Sequence, residues 1–138
     1  MAMYSSPVID KRKWTTIDRG RREGNEMPDR QCRVVLVTCG TLAEAKRIAR
    51  AAIEARLAAC VNVVRNPVDS IYRWKGEVEV SREYLLVIKS TVRRLPELER
   101  MVRSMHSYNV PEFVALPVVS GSREYLAWLV DSVKANAK

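Results

Sequence analysis

The sequence predicts an α+β sandwich in which strands and helices follow the order β-α-β-β-α-β, with one further helix at the end. Two observations predict this class. Short β-branched runs alternate with apolar stripes at helical spacing, and two of the runs meet at a tight turn, Lys75-Gly76. Two split βαβ units with right-handed crossovers place four antiparallel strands in one sheet and both helices on one face. This is a ferredoxin-like arrangement with a long hairpin between its second and third strands and an extra C-terminal helix.

Length and composition fit one small domain. The chain has 138 residues, of which 47% are hydrophobic and 29% charged, and this balance excludes collagenous, coiled-coil and wholly disordered chains. The formal net charge of +8 attracts anions only as a weak field effect. Because no basic stripe or nucleic-acid motif accompanies the charge, we expect no nucleic-acid partner.

The chain divides near residue 31. Residues 1–31 are charged, contain proline and glycine, and show no sustained period of 2 or 3.6. We interpret them as a mobile basic N-terminal extension, either a solvated tail or the product of an upstream start codon, with contact to an acidic partner as the alternative. Residues 32–138 form the predicted domain.

The first strand and helix of the domain follow directly. Residues 34–37 are a β-branched run, typical of a strand buried on both faces. Thr41 and Glu44 have the spacing of a capping box, in which each side chain bonds the other residue's backbone N–H. Apolar residues at helical spacing then predict a helix that ends near Ala59.

The second and third strands form the hairpin. Residues 61–64 begin the second strand, Asn66-Pro67 interrupts it as a bulge would, and residues 70–74 resume it. Residues 78–88 return as the third strand. A domain this small cannot bury all the apolar side chains of the hairpin, so we expect it to reach a neighbouring subunit.

The last three elements are a helix, a strand and a helix. The second helix begins near residues 90–91, with Pro96 in its first turn. Residues 113–118 form the fourth strand, where Pro117 indicates a sheet edge. A short helix follows Ser122.

Cysteine usage indicates a reducing compartment. The chain has three cysteines and no CxxC pair, so neither a disulfide framework nor a zinc knuckle is predicted. Cys60 is interpreted as a core residue, and Cys32 lies at the edge of the extension. No apolar run approaches the ~20 residues that span a bilayer, and no secretory signal is evident. We therefore expect a cytoplasmic protein without a membrane partner.

Cys39 and His106 are the candidate metal ligands. Cys39 directly precedes a predicted helix, whose N-terminus lowers the pKa of a nearby thiol, although a small buried core residue is the alternative. His106 is the single histidine, and it is either a structural residue at a helix end or one arm of a soft-metal site. Because a specific metal site uses three or four donors, a site at His106 would need further ligands from Cys39 or from other subunits.

Four further residues are candidates for a small-ligand cleft. Lys89 lies near the end of the third strand and Glu112 at the start of the fourth, so the two form either an ion pair or the polar floor of a pocket. Tyr108 and Trp74 are the other candidates, with Trp74 in the core, in an interface or in the pocket wall. An acid–base role for Lys89, Glu112 and Tyr108 is the enzymatic alternative, but no activated nucleophile is visible, so we expect no enzyme.

Five sequence blocks stand out along the domain: RLAAC at 56–60, SIYRWKGE at 70–77, HSYNVPE at 106–112, LPV at 116–118 and YLAWL at 125–129. Together these blocks resemble the CutA family, known as divalent-cation-tolerance proteins. The resemblance covers about residues 33–133. It implies a ferredoxin-like homotrimer shaped like PII signalling proteins, in which long hairpins and sheet edges join the subunits. It also implies association with copper or another divalent metal, with no organic cofactor and no established reaction.

Only part of the family's copper site is matched by residues of this sequence. In copper-binding members, the proposed ligands are a cysteine near the end of the first strand and two adjacent histidines after the second helix. The matching positions here are Val37 and Met105-His106, so only His106 carries over. Cys39 is the candidate substitute for the cysteine, because strand residues two apart point to the same face.

These observations predict a trimeric, PII-like protein that serves copper tolerance without catalysis and binds its ligand in clefts between subunits. The alternative is a metal-independent scaffold or signalling trimer that binds a small anion or a protein partner of unknown identity.

Overall fold

The computed structural model describes residues 28–135. Residues 1–27 of the predicted extension, and residues 136–138, lie outside the described part. The last four residues of the predicted extension form a short helix, α1 (Pro28–Gln31), which lies against the C-terminal helix. The described structure therefore includes four residues on the N-terminal side of the predicted boundary at residue 32.

The described chain has the predicted α+β architecture. After α1 come the following elements: β1 (Cys32–Cys39), α2 (Leu42–Glu54), β2 (Cys60–Val63), β3 (Val68–Trp74), β4 (Glu77–Thr91), α3 (Leu95–Met105), β5 (Val114–Pro117) and α4 (Arg123–Ser132). A 3-10 turn precedes α3. All strand pairs are antiparallel, in the order β2-β4-β1-β5, and β3 pairs with the remaining length of β4. The ferredoxin-like class is confirmed.

The predicted second strand is divided in two by the predicted bulge. Val63 pairs with Leu86, whereas Val68 pairs with Glu83. The four residues 64–67 therefore face only two residues of β4, which gives two extra residues on one side of the ladder. Pro67 has no N–H to offer a partner strand, which explains why the ladder is interrupted here.

The hairpin turn is the predicted two-residue turn. Trp74 pairs with Glu77 across it. Lys75 and Gly76 both have positive φ, 51° and 81°, as a type I′ turn requires, and this turn matches the twist of the flanking strands.

Helix α2 ends five residues earlier than predicted. Arg56 adopts positive φ, 57°, and donates its N–H to the Ile53 carbonyl, while the Leu57 N–H bonds the Ala52 carbonyl. This pair of bonds is the Schellman motif, which stops a helix and satisfies its last carbonyls. The apolar periodicity continued past Glu54 because Leu57 and Ala58 still enter the core.

The two faces of the sheet are covered differently. Helices α2 and α3 cover one face, where the core contains Val35, Val37, Cys39, Ile48, Ala52, Leu86, Ile88, Leu98 and Val102. The other face meets α4 at one end only, where Cys32 is fully buried against Leu126 and Leu129. Cys32 is thus a core residue, which its position beside the extension did not indicate.

None of the helices in residues 28–135 is both long and apolar enough to cross a membrane. The longest described helix, α2, has 13 residues.

Candidate functional site

Three side chains with metal-ligating atoms converge at the end of β1. Cys39 is the last residue of β1, Glu44 lies in the first turn of α2, and His106 follows α3. Their ligating atoms lie within 4.8 Å of one another, and all three side chains are buried. We call this group the Cys-Glu-His cluster. It brings together both predicted metal ligands, Cys39 and His106, and adds Glu44.

The Cys39 thiol is protonated at neutral pH. Burial, followed by the charges of Glu44 and Glu83, raises its pKa from 9.0 to about 12. Cys39 thus matches the alternative interpretation, a small buried core residue, and its pKa is raised rather than lowered. A helix dipole contributes up to ~2 kcal/mol to a partly buried group, and burial together with two nearby carboxylates outweighs it here.

Both ring nitrogens of His106 have partners within the protein. The Tyr108 backbone N–H donates to Nδ1 at 3.0 Å, so Nδ1 carries a lone pair and no proton. In the neutral ring the proton then lies on Nε2, which donates to the Thr38 carbonyl at 2.7 Å. Strand β1 and the chain after α3 thereby fix the tautomer of the imidazole.

The Glu44 side chain links α2 to the stretch of chain that follows α3. Its carboxylate accepts the Ser107 N–H at 2.6 Å and the Ser107 hydroxyl at 3.1 Å. The predicted capping box is thus only half formed. Thr41 Oγ1 accepts the Glu44 N–H at 3.1 Å, but the Glu44 side chain bonds Ser107 instead of reaching back to residue 41. Each carboxylate oxygen keeps further acceptor capacity.

The donor set fits a borderline or soft divalent cation in kind and spacing. Sulfur, nitrogen and oxygen donors together favour copper or zinc over magnesium or calcium. Three protein ligands are also the number that leaves one coordination position open. The cluster is not preformed for a metal, however, because the Cys39 thiol is protonated and both ring nitrogens of His106 are hydrogen-bonded to backbone groups.

Tyr108 and Glu112 lie close to a buried carboxylate, Glu83. Burial and the charge and hydrogen bonding of Glu83 raise the pKa of Tyr108 from 10.0 to about 12. Burial and the charge of Glu83 also raise the pKa of Glu112. The Tyr108 ring lies 4.7 Å from the His106 ring, and its hydroxyl is so near Gly40 that a Cβ there would lie 3.1 Å away.

Lys89 and Trp74 lie elsewhere in the chain. Lys89 lies on β4 and pairs with Val34 of β1 and with Cys60 of β2. It is six residues along β4 from Glu83, a distance of ~20 Å in an extended strand. Trp74 is at the hairpin tip and is 53% exposed. Of the four cleft candidates, the described part of the chain brings together only Tyr108 and Glu112. A Lys89–Glu112 ion pair is absent from the described residues.

Sequence reasoning did not identify three members of this region. Glu44 was interpreted only as a cap, and Glu83 and Ser107 were not singled out. A glutamate within the third strand, followed by the apolar run 84–88, was the available signal for Glu83, because an acidic residue there has to be paired or exposed.

The comparisons with known proteins agree with the predicted resemblance. A family model described as CutA1 divalent ion tolerance protein matches residues 33–132. The divalent-cation tolerance protein CutA of Thermus thermophilus is 51% identical over 96 residues, which cover 70% of this chain and 92% of that relative. The human protein CutA is 48% identical over 93 residues, which cover 67% of this chain. The chain spans about half the length of the human relative, 51%.

Solved structures have the same fold. The Thermus thermophilus divalent cation tolerance protein superposes with a TM-score of 0.72 at 48% identity, covering 73% of this chain and 97% of that one. CutA1 from the psychrotrophic bacterium Shewanella sp. SIB1 gives a TM-score of 0.71 at 39% identity, covering 74% and 94%. Because the family model spans most of the domain and relatives share about half of the aligned residues, the chain belongs to the CutA1 divalent ion tolerance family.

Proposed function

We propose that this chain acts as a non-enzymatic, homotrimeric tolerance protein that binds copper or a similar divalent cation through Cys39, Glu44 and His106. One observation carries the proposal. Sulfur, oxygen and nitrogen donors converge within 4.8 Å in a chain of a divalent-ion tolerance family. All three donors come from one subunit, so the proposed metal position lies inside the subunit, in contrast to the clefts predicted from sequence.

The metal proposal is tested by titration with Co(II), whose coordination by a thiolate gives a charge-transfer absorption band. We expect this band in the wild-type protein under anaerobic conditions and its loss in Cys39→Ser. His106→Ala should bind copper at least tenfold more weakly in a competition assay.

Cys60→Ser is the matched control for the titration. Cys60 begins β2, pairs with Lys89 and lies outside the Cys-Glu-His cluster. The variant should therefore keep the wild-type band and affinity. Equal metal uptake by wild type, Cys39→Ser and His106→Ala would show that the cluster does not hold the cation.

Exposed apolar surface supports the trimer. On the hairpin, Ile71, Val78 and Val80 are 69%, 61% and 63% exposed, and every residue of the edge strand β5 is exposed. Apolar surface next to a free sheet edge is typical of an interface between subunits. Lys89 on the open sheet face and Trp74 at the tip lie near these surfaces, so any cleft that they share with Tyr108 and Glu112 would need a neighbouring subunit.

A metal-independent signalling or scaffold trimer is the second candidate. It is favoured by the hydrogen bonding of His106, whose two nitrogens are satisfied without a cation. The cluster would then serve only to hold the chain after α3. A titration without a thiolate band and without copper binding would select this candidate. For either function we propose a cytoplasmic location, on the odd cysteine count and the absence of CxxC pairs.

A further inference from the structure

Two members of the Cys-Glu-His cluster hold the segment that follows α3. We call residues 107–112 the 107–112 segment; it has no regular secondary structure. Ser107 donates its N–H and its hydroxyl to Glu44, and Tyr108 donates its N–H to His106 Nδ1. The proposed ligands are therefore also the acceptors that fix the start of this segment.

Coordination through His106 is incompatible with the bond to Tyr108, whichever nitrogen is used. A neutral imidazole has one N–H and one lone pair. If Nδ1 ligates the cation, its lone pair is no longer available to the Tyr108 N–H. If Nε2 ligates, its proton moves to Nδ1, which then faces the Tyr108 N–H as a second donor. In that second mode the Thr38 carbonyl also loses its donor.

The segment can move into solvent when this bond is lost. Ser107, Asn109 and Glu112 are exposed, Tyr108 is 38% exposed, and Val110 is 74% exposed. Since most of the segment is exposed, the contacts that a displacement must break are those of the Tyr108 ring and hydroxyl with His106, Gly40 and Glu83. A backbone N–H that leaves His106 is hydrated at once. A backbone bond buried beneath the helices would not open at so small a cost.

Building on the proposed metal site, we propose that binding of a divalent cation by His106 releases Tyr108 and mobilises the 107–112 segment. The segment would then report occupancy of a buried site at the protein surface, close to Glu83. The Cys39 proton leaves to solvent in the same event; when Nε2 is the ligating atom, the imidazole also loses its Nε2 proton and takes one up at Nδ1.

Hydrogen exchange measured by mass spectrometry tests the inference, with Co(II) as the probe. The absorption band reports occupancy in the same samples. We expect peptides that contain residues 106–112 to exchange at least tenfold faster once the band has saturated. Peptides from the buried core of α2 should be unchanged. Cys39→Ser, which keeps the His106–Tyr108 bond but loses the thiolate, should show slow exchange with and without Co(II).

The outcomes separate this inference from the proposed function. A saturated band with unchanged exchange in 106–112 would overturn the release of the segment and leave the metal site standing. Absence of a band at millimolar Co(II) would refute the metal site, and the release with it. Faster exchange in both wild type and Cys39→Ser would show that the segment is released without the Cys39 ligand, which overturns its coupling to the three-ligand site.

Discussion

At the end of β1, burial is the main influence on the pKa values of individual side chains. Cys39 is fully buried beside Glu44 and Glu83, and its neutral thiol is the stable form in the fold. Burial and Glu83 likewise raise the pKa of Tyr108. Both groups bind their protons more tightly in the folded than in the unfolded chain. Each therefore contributes stability that is fully present below its unfolded pKa and is lost as the pH rises through its folded pKa.

The first prediction concerns alkaline pH. The pKa of the Cys39 thiol is raised from its ordinary value of 9.0, which applies to the unfolded chain, to about 12 in the fold. Its contribution to stability is fully present below pH 9 and is lost as the pH rises toward 12, because the unfolded chain releases the proton first. We expect the free energy of unfolding to fall less steeply between pH 9 and 11 in Cys39→Ala than in wild type, as measured by denaturant titration. Parallel pH profiles of the unfolding free energy in wild type and Cys39→Ala would contradict this prediction.

The second prediction concerns Glu44. Glu44→Ala removes two hydrogen bonds from Ser107 to a carboxylate. Hydrogen bonds to charged groups contribute ~1.5–3 kcal/mol each, and the contribution here is smaller because Ser107 is exposed and water can replace its partner. We therefore expect a loss of about 2 kcal/mol in unfolding free energy. Glu54→Ala, at an exposed position of the same helix, is the control and should change stability by less than ~0.5 kcal/mol.

At the scale of single elements, local sequence signals determined most of the structure, and the ends of elements were decided by backbone geometry. The Lys75-Gly76 turn and the interruption at Pro67 formed as predicted, because their chemistry acts within a few residues. The end of α2 was missed, because its C-terminal signal is an arginine in the left-handed region rather than the usual glycine.

That arginine leads to the third prediction. A left-handed conformation costs a non-glycine residue ~1–2 kcal/mol, while glycine adds unfolded-state entropy that offsets part of the gain. We expect Arg56→Gly to raise the unfolding free energy by about 0.5–1 kcal/mol. Arg50→Gly, at an exposed position inside α2, should instead lower it by about 1 kcal/mol. A loss of stability in Arg56→Gly would show that the Arg56 side chain contributes more than its backbone costs.

For the whole molecule, the central question is how the open sheet face and the hairpin are covered. Ile71 pairs with Val80 on one side of the hairpin, and both side chains are more than 60% exposed. In a single subunit nothing among the described residues covers this pair. We therefore expect a trimer whose folding and assembly are coupled.

The fourth prediction tests this assembly. Sedimentation equilibrium at micromolar concentration should give a mass about three times the 15.8 kDa of one chain. Ile71→Glu should shift the protein toward lower mass, because it places a charge in the proposed interface. Glu79→Gln, on the opposite side of the hairpin beside Tyr72, should leave the mass unchanged. A wild-type monomer would contradict the trimer.

The sequence alone determined the fold class, the order of helices and strands along the domain, the hairpin and the family, because periodicity, turn residues and motif blocks are local properties. It also singled out Cys39 and His106, and the structure brings these two together. Only the tertiary structure decided what they can do. Glu44 and Ser107 are 63 residues apart in the chain, as Thr38 and His106 are 68 apart, and no local pattern encodes such contacts. The same long-range packing placed Glu83 beside Cys39 and Tyr108 and left Lys89 far from Glu112. Burial, hydrogen-bond partners and therefore proton affinity follow from which distant residues meet.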